Sequence, residues 1–167
     1  MSIELQSDCA QCAALCCMAL ALDAGQSFAI DKPAGLACPN LTGHACRIHG
    51  QLKEQGFDGC RAYECLGAGQ RVTQDLFQGR SWQDDPRLTD PMIRAFAGMR
   101  AIHQRLELLQ AAGALPLDTA DRNKRRASID TLSGTLPLAR VESFPGSAEE
   151  AEVDAFIRSL SRYVARE

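Results

Sequence analysis

The sequence Cys9-Ala-Gln-Cys12-Ala-Ala-Leu-Cys16-Cys17 places four thiols within nine residues of the chain. The other four cysteines follow at Cys38, Cys46, Cys60 and Cys65, and residues 66–167 contain none. Thiolates are strong ligands for zinc and the usual ligands of iron–sulfur clusters, commonly four to a centre. We therefore predict a metal or cluster site whose ligands come from these eight cysteines.

Two other interpretations of the thiols stay open. Reduced cysteine is often buried as a small apolar side chain, and neighbouring thiols can carry dithiol redox chemistry. Eight cysteines suit two four-thiolate sites or one cluster with spare thiols. Their spacing is neither that of a standard zinc finger nor that of a bacterial ferredoxin, so the identity of the metal is open.

The first four cysteines are predicted to lie on one helix over residues 9–24, where Ala and Leu are abundant and Gly and Pro are absent. Ser7 or Asp8 is its expected N-cap, and Gly25 is placed to end it. At about 100° per residue, three of the thiols share one stripe of the helix. These are Cys9, Cys12 and Cys16. Cys17 points roughly 100° away from Cys16 and is expected to contribute less to metal binding than Cys12.

Proline and glycine residues predict a loop after this helix. They are Pro33, Gly35, Pro39 and Gly43. Within the loop, His44 and His49 are candidate nitrogen ligands, and His49 lies three residues after Cys46. Exposure in the loop is the favoured interpretation of both histidines. Further along, the turn at Gly67 and Gly69 is expected to let the backbone pass close to the cysteine site, since the third glycine of a dinucleotide motif is missing.

The clearest amphipathic helix has Asp90 as its expected N-cap and Pro91 at its first position, a strong start signal, and runs to about Ala112 before Gly113. Its apolar residues recur at alternating steps of four and three. They are Met92, Phe96, Met99, Ile102, Leu106 and Leu109. His103 borders this stripe and is expected to be a core or boundary residue.

The last part of the chain predicts two more helices. A polar helix is expected from Thr119 to Leu132, and a terminal helix follows the capping box that begins at Ser147. Between them, the segment from Leu138 to Val141 is interpreted as part of a loop or a strand-like arm. We therefore predict a mainly α fold in which a cysteine-rich region of helices and loops, residues 1–82, packs with a helical region, residues 83–167, into one domain.

Composition limits the partners. The net charge of −3 and the lack of a basic arm argue against nucleic acid binding, because phosphate contacts dominate that affinity. No signal peptide is evident, and the most apolar run is too short to span a bilayer. We expect a cytoplasmic protein without a membrane segment, where thiols stay reduced.

The cysteine pattern resembles that of the zinc- or iron-chelating CxxCxxCC proteins. Their blocks correspond to Cys9, Cys12, Cys16 and Cys17, then Cys38-Pro39-Asn40-Leu41, Cys46-Arg47-Ile48-His49 and Cys60-Arg61-Ala62-Tyr63. One extra residue separates Cys12 from Cys16. Cys65 and residues 67–74 resemble a cysteine-rich module found in bacterial pentapeptide-repeat proteins, although this chain has no such repeats. The resemblance covers residues 9–80 and implies metal binding without a settled reaction.

Three functions are compatible with these patterns. The first is a metal-binding protein that holds zinc or an iron–sulfur cluster, and it is favoured because no obvious catalytic base accompanies the thiols. The second is an iron–sulfur redox enzyme or enzyme component, so the sequence leaves open whether the protein is an enzyme. The third is an interaction module with a purely structural metal site.

Overall fold

The computed structural model describes residues 3–164, and helices dominate it. The α-helices are α1 (Leu15–Ala19), α2 (Asp58–Ala62), α3 (Ala68–Arg71), α4 (Thr89–Ala111), α5 (Thr119–Ser133), α6 (Leu138–Ser143) and α7 (Ala148–Ser159). Short 3-10 turns cover Cys9–Gln11, His49–Gln51, Pro86–Leu88, Ala112–Ala114 and Leu160–Tyr163, and a π-helix covers Val72–Leu76. The prediction of a mainly α fold is confirmed.

Helix α4 forms the centre of the structure. Its predicted apolar stripe is buried, and α1, α3, α5, α6 and α7 all contact it. The helix begins at Thr89, directly after the 3-10 turn, so Asp90 lies in its first turn and is not its N-cap. Asp85 instead caps the 3-10 turn by accepting a hydrogen bond from the N–H of Arg87. The main core also includes Leu15 from α1 and other residues of the cysteine-rich region.

The helices after α4 follow their capping signals. Asp118 accepts the N–H of Asp121 at the start of α5, and Ser147 accepts the N–H of Glu150 at the start of α7. The expected terminal helix is confirmed. Three apolar residues of this helix and of the 3-10 turn that follows it are buried. They are Val153, Phe156 and Leu160.

The interpretation of residues 138–141 as a loop or strand-like arm was wrong, because they begin α6. Pro137 precedes the helix with extended backbone, and Val141 is fully buried against α4. The close approach is possible because Gly98 of α4 has no side chain where the two helices meet. Tertiary packing therefore decides the structure of this short segment.

The prediction of one helix over residues 9–24 was also wrong. The segment forms a 3-10 turn, an extended Cys12, and then α1, which ends at Ala19. Ala14 breaks the helix because it adopts left-handed backbone, with φ of 55°. Two side chains fix the preceding residue: Thr73 Oγ1 accepts the N–H of Ala13 at 3.0 Å, and Trp82 Nε1 donates to its carbonyl at 2.7 Å. The expected N-cap at Asp8 is confirmed for the 3-10 turn.

The predicted loop contains a minimal antiparallel hairpin of β1 (Leu41–Thr42) and β2 (Ala45–Cys46), turned at Gly43. A second, smaller core lies under this region and is formed by Leu22, Leu52 and Phe57. The N-terminal region is thus divided between two cores. Among residues 3–164, no helix is both long enough and apolar enough to cross a membrane.

Replacing Gly98 with alanine is expected to destabilise the fold by roughly 1–3 kcal/mol, the usual cost of overpacking a core. A Cβ at Gly98 would lie 1.9 Å from the carbonyl oxygen of Val141, so α4 and α6 would have to separate. Chemical denaturation followed by circular dichroism measures the change. Gly25→Ala is the matched control, because nothing lies within 4 Å of its added Cβ. Equal unfolding midpoints for the two variants would contradict the close helix approach.

Candidate metal centre

All eight cysteines are free thiols in the structure. Cys9 and Cys60 are exposed, and the other six are half-buried. Because Cys9 and Cys12 lie outside α1, the predicted helical stripe of three thiols does not exist. The geometric reason for assigning Cys17 a lesser role than Cys12 disappears with it.

Two thiols lie beside Gly69 of α3, and two more lie close enough for electrostatic interaction with them; we call these four the first thiol group. They are Cys9, Cys12, Cys16 and Cys65. The Cys12 and Cys65 sulfurs lie 2.6 and 3.8 Å from the position that a Cβ of Gly69 would occupy. Burial raises the pKa of Cys12 to about 11, and the charges of Cys16 and Cys65 raise it further. Partial burial is the main cause that raises the pKa of Cys9, and the charges of Cys16 and Cys65 add to it.

The other four thiols lie around the β1–β2 hairpin, and we call them the second thiol group. They are Cys17, Cys38, Cys46 and Cys60. The N–H of Cys38 donates to the carbonyl of Cys17 at 3.0 Å, and Leu41, which pairs with Cys46, donates to the carbonyl of Cys38. Burial raises the pKa of Cys60 to about 11, and the charges of Cys16, Cys38 and Cys46 add to this effect.

The vicinal cysteines of α1 connect the two groups. The hydrogen bond between the Cys16 and Cys17 thiols is the main cause that raises the pKa of Cys16 far above its usual range, and burial is the second cause. Cys16 is also the thiol whose charge acts on members of both groups, Cys12 in the first and Cys60 in the second. The two thiol groups therefore adjoin at α1.

As placed in residues 3–164, no three His, Cys, Asp or Glu side chains form a set that could hold a metal ion. The thiols are neighbours, but they do not form a closed ligand set.

Local backbone geometry partly offsets the effect of burial on Cys12. The left-handed conformation of Ala14 turns the chain so that the N–H groups of Ala14 and Leu15 donate to the Cys12 sulfur and lower its pKa against the effect of burial. Successive N–H groups turned in this way form a concave site for an anion. Gly69 leaves room for the same sulfur, as expected from the turn at Gly67 and Gly69.

Two hydroxyl groups accompany the first thiol group. Ser7 Oγ lies 2.9 Å from the Cys65 sulfur. Tyr63 Oη is buried and, among the residues that the structure describes, has no hydrogen-bond partner. Burial raises the pKa of Tyr63 above its usual range, and the charges of Cys65 and Cys16 contribute to the rise. Tyr63 therefore keeps its proton and has an unused donor near these sulfurs.

A buried ammonium accompanies the second thiol group. Lys32 is only 3% exposed, and its Nζ donates to three backbone carbonyls, those of Met18, Pro33 and Leu36. Burial lowers the pKa of Lys32, whereas the charges that Cys38, Cys17, Cys16 and Cys60 carry when ionised raise it. Buried charges are normally paired, and a thiolate formed at any of these cysteines would be an anion beside this ammonium.

Helix α4 fixes the turn that carries Cys65. The buried His103 is confirmed as a core residue, and its Nδ1 donates to the carbonyl of Leu66 at 2.5 Å. Its Nε2 accepts from Arg71 at 3.2 Å, which requires the neutral ring. Arg71 also donates to the carbonyls of Ser133 and Gly134 at the end of α5. These contacts hold the Leu66 turn against both α4 and α5.

The candidate nitrogen ligands lie at the edge of the site. His44 is exposed, and its Nε2 lies 2.7 Å from Ser81 Oγ. His49 is exposed in a 3-10 turn. The expectation that both histidines are exposed in the loop is confirmed.

Sequence reasoning missed the polar groups around the thiols. Lys32 stands between Asp31 and Pro33, a context typical of a surface turn, and no periodic pattern indicates its burial. Ser7 precedes the first cysteine and looks like a helix cap. Tyr63 stands out in the sequence only as the last residue of the Cys60-Arg61-Ala62-Tyr63 motif. Their roles depend on contacts between distant segments, which the sequence does not reveal.

A cleft of about 750 Å³ opens beside the first thiol group. Its wall includes Ser7, Asp8 and Gly67, which neighbour Cys9 or Cys65 in the chain or in space. Gln70 also lines it and holds the N-terminal segment by accepting the N–H of Asp8 at 2.7 Å. The cleft thus reaches Ser7, whose hydroxyl contacts the Cys65 thiol of the first group.

Comparison with known proteins yields one relevant similarity. The chain is 33% identical over 164 residues to the uncharacterized protein YybG of Bacillus subtilis (strain 168). The match covers 96% of this chain and 59% of that protein, so the chain spans well under two thirds of its relative. No protein-family model matches the chain, and no solved structure matches it.

Acid is expected to destabilise the protein partly through His103. Burial lowers its pKa to about 4, whereas the pKa of histidine in the unfolded chain is near 6.5. Between these two pH values the unfolded chain binds a proton at this histidine and the folded protein does not. The histidine's contribution is therefore intact above about pH 6.5 and decreases by about 3 kcal/mol as the pH falls to 4. Chemical denaturation between pH 7 and pH 4 measures this decrease.

His103→Asn is the matched variant, because it keeps an N–H donor for the Leu66 carbonyl without a titrating ring. It is expected to be less stable than the wild type at pH 7 but to lose less stability on acidification. Parallel pH dependences in the two proteins would show that His103 does not carry this effect.

Proposed function

We propose that this protein binds metal through its clustered cysteine thiolates and holds zinc or an iron–sulfur cluster. The observation that carries the proposal is the assembly of thiols from separate segments. Cysteines between positions 9 and 65 come from a 3-10 turn, two helices, a strand and connecting loops, and all lie in two adjoining groups as free thiols. Cysteines that served only as small core residues would not need to lie together at a partly exposed surface.

The donor chemistry fits such a group. Zinc and iron–sulfur clusters both prefer soft thiolate ligands, and four cysteines to a centre is the common number. The N–H groups of Ala14 and Leu15 stabilise negative charge on Cys12. Tyr63 has an unused hydroxyl donor near the first group, and Lys32 carries a positive charge beside the second. Outer-shell donors of this kind orient ligands and tune a bound metal.

The thiols must lose protons when they bind. Burial raises the pKa of Cys12 and Cys60 to about 11, so both are protonated at neutral pH before metal arrives. A metal ion displaces these protons, which makes apparent affinity rise with pH. A zinc ion would cross-link the chain segments that carry the cysteines, and an iron–sulfur cluster would in addition supply one-electron chemistry.

Metal analysis of the purified protein tests the proposal. We expect stoichiometric zinc in a colourless protein, or stoichiometric iron and sulfide with broad visible absorption in protein prepared without oxygen. Free-thiol titration should show that bound metal protects the cysteines. A metal-free protein that keeps its circular dichroism spectrum, and that takes up neither zinc nor iron with sulfide under reducing conditions, would overturn the proposal.

Gly69→Ala is expected to lower metal binding at the first thiol group by about tenfold or more, comparable to the loss of an outer-shell contact. The added Cβ would lie 2.6 Å from the Cys12 sulfur, so the thiol must move away from Cys65. Competition with a chromophoric chelator measures the affinity. Gly50→Ala is the control from the same region, because its Cβ meets nothing within 4 Å. Unchanged affinity in both variants would remove Cys12 from the ligand set.

A further inference from the structure

We propose that Cys65 and Cys12 form a reversible disulfide when a small hydroperoxide enters the cleft beside the first thiol group, with Cys65 reacting first. The proposal goes beyond metal binding and does not depend on it, because the reaction needs two thiols and no closed ligand set. It makes this pair of cysteines a modification site that joins the N-terminal segment to the turn before α3.

The sulfurs of the two cysteines face the same small space beside Gly69. A Cβ on Gly69 would lie 2.6 Å from the Cys12 sulfur and 3.8 Å from the Cys65 sulfur, so the sulfurs are no farther apart than the sum of these distances. Glycine leaves this space free of a side chain. Since a disulfide bond is about 2 Å long, the thiols have to approach each other by a few ångströms at most.

The backbone favours this pair over the vicinal pair of α1. Cys12 is extended between the 3-10 turn and α1, and Cys65 lies in the turn before α3, so neither belongs to an α-helix. Consecutive Cα atoms are about 3.8 Å apart, whereas a disulfide usually needs at least about 4.4 Å between its Cα atoms. A bond between Cys16 and Cys17 would therefore distort α1.

Hydrogen bonds give Cys65 a route for its proton. Ser7 donates its hydroxyl hydrogen to the Glu64 carboxylate, and the Ser7 oxygen lies 2.9 Å from the Cys65 sulfur. Because an ionised carboxylate only accepts, the Ser7 oxygen is left to accept the S–H of Cys65. The N–H of Leu66 donates to the same carboxylate oxygen at 2.7 Å and holds it in place. The thiol, the hydroxyl and the carboxylate form a proton relay, which we call the Cys65 relay.

The cleft provides access to the Cys65 relay. Ser7 lines it, and its volume of about 750 Å³ is ample for a small hydroperoxide. Cys65 is half-buried, whereas Cys9 and Cys60 are exposed. Among the hydrogen bonds of residues 3–164, neither exposed thiol has an equivalent of the Ser7–Glu64 pair. We therefore expect Cys65 to be oxidised before these more exposed thiols.

The first step oxidises Cys65. Its sulfur attacks one oxygen of the hydroperoxide, and the O–O bond breaks as the thiol proton passes through Ser7 to Glu64. Glu64 returns this proton to the leaving oxygen, which departs as water or an alcohol. Cys65 becomes a sulfenic acid, and the two electrons that its sulfur loses reduce the peroxide.

The second step closes the disulfide. The Cys12 sulfur attacks the sulfenic sulfur of Cys65, so an S–S bond forms and the S–O bond breaks. The hydroxide that leaves takes the proton of the Cys12 thiol and departs as water. A dithiol reductant reverses the bond by thiol–disulfide exchange, in which the reductant is itself oxidised to a disulfide.

Peptide mapping without a reductant tests the pair. Reduced protein is treated with hydrogen peroxide both as purified and after a chelator has removed any bound metal, since metal would protect the thiols. We expect the first cross-link to join Cys12 to Cys65, and a dithiol to restore both thiols. In Cys12→Ser, a sulfenic acid should accumulate at Cys65, where dimedone traps it. Another first cross-link, no cross-link, or sulfenic acid at Cys60 before Cys65, in both preparations, would refute the disulfide.

The rate of Cys65 oxidation tests the relay. General acid–base assistance contributes roughly 100-fold or more, so Ser7→Ala and Glu64→Gln should slow sulfenic acid formation by about that factor. Glu4→Gln is the matched control, because it removes a carboxylate from the same cleft and leaves the three groups of the relay in place. Oxidation of Cys60 is the internal reference and should be unchanged in every variant. Equal rates at Cys65 in Ser7→Ala and Glu4→Gln, or a parallel loss at Cys60, would remove the relay from the reaction.

Discussion

The packing of short N-terminal elements against α4 is the constraint on which the rest of the structure depends. Helix α1 has five residues and α3 has four, and helices of this length are not stable alone in water. Burial of Leu15 from α1 and Ala68 from α3 in the core around α4 supplies the stability that these helices lack. The thiols of α1, and Cys65 just before α3, therefore keep their positions only while that core is formed.

Buried polar contacts convert this packing into specific positions. Thr73 and Trp82 fix the backbone of Ala13, which makes the left-handed turn at Ala14 possible and exposes N–H groups to the Cys12 sulfur. A non-glycine residue in that conformation costs free energy, of the order of 1–3 kcal/mol. A strained conformation of this kind persists only when surrounding contacts determine it, and such strain is typical of functional sites.

The sequence predicts the long elements well and the site poorly. The apolar stripe of α4 and the capping signal at Ser147 are local patterns that agree with the tertiary contacts, so the sequence predicts both helices. The segment from Cys9 to Ala19 has high helix propensity, yet side chains more than 50 residues away break it at Ala14. For the same reason, Lys32 resembles a surface residue in the sequence, although it is buried in the structure.

The broken helix changes the meaning of the vicinal cysteines. On one continuous helix, Cys17 would be the thiol that misses a shared stripe. With Cys12 in extended backbone and α1 beginning only at Leu15, Cys16 and Cys17 instead lie at a junction between two cores. Their two thiols are hydrogen-bonded to each other, so the pair lies where the two thiol groups adjoin. The angular offset expected on a continuous helix therefore does not separate Cys17 from the other thiols.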